Sequence, residues 1–156
     1  MKRVADFRLA GFTVVQLLFA VFAWSLLVLR FGYRYGTGDQ VELLPYTLFL
    51  HNPGLYPHDF FIQGLHATVP NERTVMANLL LPFVHHMELT CLLLHLFSTV
   101  LLVLGMERFT RRFIKNKYFA WLAVLVTLIP LNDYTLGNVD LYSDCFQASA
   151  LSVAIV

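Results

Sequence analysis

Of 156 residues, 58% are hydrophobic and only 13% charged, about half the charged share of an ordinary soluble domain, and mean hydropathy is +0.64. That balance predicts an all-α membrane protein, a polytopic helix bundle. With a net charge of +1 and no basic tract, it excludes nucleic-acid binding, and two cysteines inside or beside apolar runs make no disulfide framework.

Residues 9–29 form the first expected span: 21 uncharged residues, softened only by Thr13, Gln16 and Ser25. That length crosses a bilayer. It exceeds a signal-peptide core, and Phe31-Gly-Tyr-Arg-Tyr35 offers no small-x-small cleavage site. Residues 30–81 then make a long first loop. A second span is expected over about 82–106 and a third, short one over 118–131, with Pro130 near its end. A second loop covers 132–144. The apolar run 145–156 is shorter than the roughly 20 residues a span needs, so the pattern over 1–156 reads as the N-terminal part of one transmembrane domain, with a truncated fourth span.

Charge orients these segments. Lys2, Arg3 and Arg8 precede the first span, and Arg108, Arg111, Arg112, Lys115 and Lys117 lie between the second and third. By the positive-inside rule that side, N-terminus included, is cytoplasmic. The two loops then face outward, periplasmic in a bacterial inner membrane. They carry Asp39, Glu42, Asp59, Glu72, Asp133, Asp140 and Asp144, seven of the ten acids. Two acidic loops are thus expected on one membrane face.

The first loop is too apolar to be disordered. Asp39 followed by Glu42 has capping-box spacing and predicts a helix over 39–50. Val41, Leu44 and Leu48 would form a stripe lying on the membrane surface, and Pro45 would bend or shorten the helix. His51-Asn-Pro-Gly-Leu-Tyr-Pro57 reads as a turn-rich link. Asp59-Phe-Phe-Ile62 reads as extended or interfacial, with Asp59 closing a turn, and Pro70-Asn-Glu-Arg-Thr74 as a helix start.

Gly38-Asp-Gln40, Leu44-Pro-Tyr46 and Asn52-Pro-Gly-Leu-Tyr-Pro-His-Asp-Phe60 resemble the first outer loop of bacterial proteins related to the GT-C glycosyltransferases, over about residues 1–145. The resemblance implies a polytopic enzyme that takes a sugar from a polyprenyl-phosphate donor, with a large first loop of interfacial helices and an acid soon after the first span. Membrane lipid and that donor are the implied partners. Asp39 matches the family's first-loop acid, a base or metal ligand. Such a transfer needs a carboxylate to take the acceptor's proton, and a divalent metal ion or Arg/Lys to balance the departing phosphate. Asp133, Asp140 or Asp144 would supply a second acid, Arg34 or Arg73 a phosphate contact, and Glu42 and Asp59 further substrate contacts. Each also has an ordinary reading: Asp39 and Glu42 as a helix cap, the arginines as lipid-headgroup contacts.

Two other readings use different residues. His85, Glu88 and His95 fall on one helical face, which would suit zinc or iron, although polar packing of Glu88 and His95 between helices explains them as well. A non-enzymatic polytopic protein whose outer loop binds lipid or a partner fits the same composition.

Overall fold

The computed structural model describes residues 8–9 and 12–128. Two two-residue strands, β1 (Arg8–Leu9) and β2 (Phe12–Thr13), pair antiparallel and lead into the first helix. Apart from that short ladder the elements are helical: α1 (Val14–Phe31), α2 (Gln40–His51), α3 (Phe60–Ala67), α4 (Glu72–Leu80), α5 (Met87–Thr110) and α6 (Lys117–Leu128). Turns of 3-10 helix occupy Pro53–Leu55 and Leu81–His86. Asp133, Asp140, Asp144, the second loop and the fourth span all lie outside the described residues.

The first span starts five residues later than its apolar run. Thr13 and Gln16 are the reason. The Gln16 N–H donates to Thr13 Oγ1 at 3.3 Å, and the Thr13 N–H donates to Gln16 Oε1 at 2.9 Å. This reciprocal capping box satisfies two of the donors that every helix start leaves open. At the other end Gly32 adopts φ 87 and donates its N–H to Val28, a left-handed conformation that costs other residues more.

The second span is also shifted. Pro82 sits in a 3-10 turn in which Phe83 leaves helical geometry (φ −107, ψ 17), so the regular helix α5 begins at Met87. Its 24 residues reach about 36 Å at 1.5 Å per residue. Val14–Phe31 and the helical stretch Arg73–Thr110 are both long and apolar enough to cross a membrane. Helix α6 begins where expected but has only 12 described residues, too few to pass that test.

Helices α1 and α5 run antiparallel, because Gln16 meets Glu107 at one end while Trp24 meets His95 nearer the other. Between them and α6 lies one core: Phe19, Ala20, Ala23 and Leu27 against Val103, Leu104, Val124 and Leu128. Ala20 and Ala23 allow close approach of the backbones, and Phe19 stacks on Trp121 with ring centroids 4.6 Å apart. Their outer faces are apolar too: Leu18, Phe22 and Leu29 on α1, Leu89, Leu93 and Phe97 on α5, and Phe119, Leu122 and Val126 on α6 are exposed.

The long loop folds into a second unit. Leu43, Tyr46 and Phe49 of α2, Ile62 of α3, and Ala77 and Leu80 of α4 bury one another. Leu44 and Cys91 join this cap to the start of α5 through Met87. The expected stripe of Val41, Leu44 and Leu48 is divided by this packing: Val41 is exposed, Leu44 buried and Leu48 half-buried. Helix α2 is apolar on several faces, so contacts with α4 and α5 decide which side turns inward.

Candidate functional site

Asp39 occupies the position just before α2 but does not cap it. Its backbone is already helical (φ −59, ψ −20), and its side chain makes no cap hydrogen bond. The expected reciprocal box with Glu42 is therefore absent, since a capping side chain needs an extended backbone to fold back on the next N–H groups. Helix α2 is anchored one residue later. Gln40, fully buried, accepts a hydrogen bond from the Gly36 N–H at 2.8 Å, which closes the turn from α1. Asp39 remains exposed to solvent.

The other acids of the loop have structural partners. Glu42 forms an ion pair with Arg73 of α4, which ties α2 to α4 and takes up the arginine expected to hold phosphate. Both side chains are more than one-third exposed, so the pair contributes only about 0.2–1 kcal/mol. Asp59 accepts from the Phe61 and Ile62 N–H groups, both at 3.0 Å, and caps α3. The segment expected to be extended is thus the first turn of a helix. Helix α4 starts within Pro70–Thr74 as expected, with Asn71 as its cap through the Arg73 and Thr74 N–H groups, and Asn71 Nδ2 donates to Leu65 at 2.9 Å. Replacing Asp59 with Ala is expected to cost about 1 kcal/mol, the ordinary loss of an N-cap, read as faster amide exchange in α3.

The segment between α1 and α2, which carries Asp39, lies at the same end of the bundle as the start of α5. Arg34 and Glu88 are exposed. Tyr35 lies near α5: partial burial, then the charges of Cys91 and Glu88, raise its phenol above the ordinary tyrosine range. Arg34, Tyr35, Asp39 and Glu88 therefore belong to the end of the bundle carrying the helical cap.

His85, Glu88 and His95 do not converge. His85 belongs to the 3-10 turn and meets His51 edge-on at 5.6 Å, whereas Glu88 is exposed in the first turn of α5. His95 is buried and accepts a hydrogen bond on Nδ1 from Trp24 Nε1 at 3.0 Å, with the Tyr33 ring 5.2 Å away. Accepting at Nδ1 leaves the ring proton on Nε2. Among the described residues no group of three or more His, Cys, Asp or Glu side chains is placed to hold a metal ion. His95 packs polar against α1 rather than with Glu88. Trp24→Phe removes that bond and is expected to cost about 1 kcal/mol, the scale of interhelical hydrogen bonds in membranes, measured by melting in detergent.

Sequence reasoning missed Glu107. It ends an apolar run and is followed by Arg108, and nothing in its local sequence sets it apart. Instead it is 1% exposed, and its Oε2 accepts from Gln16 Nε2 at 2.8 Å. Among the described residues its Oε1 accepts no hydrogen bond but forms an ion pair with Arg111 Nη1 at 3.9 Å. The signal in the sequence was polar pairing across antiparallel spans: Gln16 near the start of one, Glu107 near the end of the other. No family model, curated protein or solved structure matches this chain.

Proposed function

We propose that this chain belongs to a membrane-embedded transferase of GT-C-like architecture, acting outside a bacterial inner membrane on a polyprenyl-phosphate-linked sugar. The membrane reading is supported by two helices of spanning length and apolarity, together with apolar residues covering the outward faces of α1, α5 and α6. A concentration of Arg and Lys at the end opposite the cap favours a cytoplasmic N-terminus.

One observation carries the catalytic part. In the described loop, Glu42 is engaged with Arg73 and Asp59 with the start of α3, while Asp39 is exposed and has no cap to make. An accessible carboxylate on a short, structured turn is suited to take a proton from an acceptor hydroxyl or amine. Arg34, on the same segment, is suited to the donor phosphate, and a divalent ion held by Asp39 would serve the same charge balance. Sugar transfer from a polyprenyl-phosphate donor in proteoliposomes, with position 39 as the variable, tests the assignment.

A second reading has an observation of its own. Phe60 is 94% exposed, and Phe61, Val75 and Leu79 are exposed on the same cap. Such a surface suits a lipid interface, and in that reading the cap is a membrane-docking device without chemistry. Retained transfer in the position-39 variant, with loss of membrane-surface contact on Phe60→Asp, would favour it.

A further inference from the structure

Where α5 passes into α6, five cations fall within ten residues: Arg108, Arg111, Arg112, Lys115 and Lys117, all of them exposed. Glu107 is the only acid between residues 89 and 128. It is buried, and its ion pair with Arg111 spans 3.9 Å. Arg108 and Lys117 lie over the rings of Phe12 and Tyr118, at 5.4 and 4.9 Å, contacts that hold a cation without neutralising it. The turn itself is structured. The Arg112 N–H donates to Phe109 at 3.0 Å, the Ile114 N–H to Thr110 at 2.9 Å, and the Tyr118 N–H to Asn116 Oδ1 at 3.0 Å. The positive charge is therefore presented from an ordered backbone.

Large rings are interleaved with those cations. Phe109, Phe113, Tyr118 and Phe119 are each 63–73% exposed, and the Phe109 and Phe113 rings meet edge-on at 5.2 Å. In water this apolar area would stay hydrated, whereas at a bilayer surface such rings sit between headgroups and acyl chains. The exposed apolar faces of α5 and α6 run directly into the turn, so it continues the surface that faces lipid. We propose that residues 108–119 form a binding surface for anionic phospholipid, with the cations on the headgroup phosphates and the rings among the acyl chains. Negatively charged leaflets attract basic segments beside a span. A zwitterionic headgroup would bring a further cation to a surface already short of acids, and a soluble polyanion would leave the four rings in water. The inference rests on the chain lying in a bilayer and is independent of the transferase assignment.

The full chain, purified in nanodiscs with equal phosphatidylglycerol and phosphatidylcholine, is probed by native mass spectrometry for retained lipid. Phosphatidylglycerol is expected to dominate. Arg112→Gln and Lys115→Gln are each expected to lower that preference about fivefold, the effect of one basic residue near a charged leaflet. Melting is expected to stay unchanged, because both positions are exposed. Arg30→Gln removes the same charge near the far end of α1 and is expected to have the smaller effect. Equal retention of both lipids by the folded wild type, or a loss in Arg30→Gln as large as in Arg112→Gln, overturns the proposal. So does a fall in heparin binding by Arg112→Gln with its lipid preference intact, which would assign the cations to a soluble polyanion. Resistance to alkaline extraction from phosphatidylcholine vesicles tests embedding separately, so a chain that stays embedded without preferring phosphatidylglycerol fails this proposal alone.

Discussion

Under the proposed transferase reading, replacing Asp39 with Asn is expected to abolish most sugar transfer while leaving the protein folded. A lost general base lowers turnover by about 10²- to 10⁴-fold, and the amide keeps the size of the side chain while being unable to take the proton. The stability cost is expected to stay within about 0.5 kcal/mol, as for other exposed positions, because the carboxylate makes no cap hydrogen bond. This contrast separates catalysis from structure: Asp59→Ala should disturb α3 without affecting chemistry. The readout is transfer from a polyprenyl-phosphate donor in proteoliposomes, with melting measured on the same preparation. Transfer at the wild-type rate by the Asp39→Asn variant would remove this residue from the mechanism.

The second large effect concerns the cap that presents Asp39. Tyr46 is fully buried among Leu43, Phe49, Ile62, Ala77 and Leu80, and its ring stacks near Phe49 at 6.5 Å. Removing it with Ala is expected to cost about 3–5 kcal/mol, the usual loss for a large buried aromatic side chain. Its hydroxyl, however, is buried without a hydrogen-bond partner. Tyr46→Phe is therefore expected to be neutral or to stabilise the cap by about 1 kcal/mol, because a desolvated hydroxyl is removed while the packing is kept. Limited proteolysis between α2 and α4 distinguishes the variants: rapid cleavage for Ala, wild-type or slower cleavage for Phe. If Phe instead exposes the cap as Ala does, the hydroxyl has an essential partner and the description of this core is wrong. Loosening the cap is also expected to lower transfer, because α2 holds the turn bearing Asp39.

Helix positions were legible where local chemistry decides them. The apolar runs marked α1 and α5, Pro70-Asn-Glu-Arg-Thr74 marked the start of α4, and the apolar content of the long loop marked it as folded. The errors came where one residue had several possible partners. Asp39 and Glu42 have ideal spacing for a reciprocal cap, yet Gln40 anchors the turn and Glu42 is drawn to Arg73 on another helix. Thr13 and Gln16 looked like polar interruptions of a span, and they set its first turn. Asp59 looked like a turn residue and proved to be a helix cap.

The sequence alone determined an apolar, helix-rich chain with eight of its eleven basic residues before the first long apolar run or after the second, because hydropathy and charge are summed over local windows and need no partner. Which face each helix buries, and which polar groups meet, was decided only by tertiary structure. Periodicity put His85, Glu88 and His95 on one face, but the non-helical backbone of His86 (φ −132, ψ 33) separated His85 from the helix, and Trp24 on a neighbouring helix claimed His95. Glu107 shows the same limit most sharply. The arginines that follow it in sequence suggest solvent, whereas its hydrogen-bond partner in space is Gln16, 91 residues away. A buried carboxylate is created by that long-range pairing, and no window of sequence contains it.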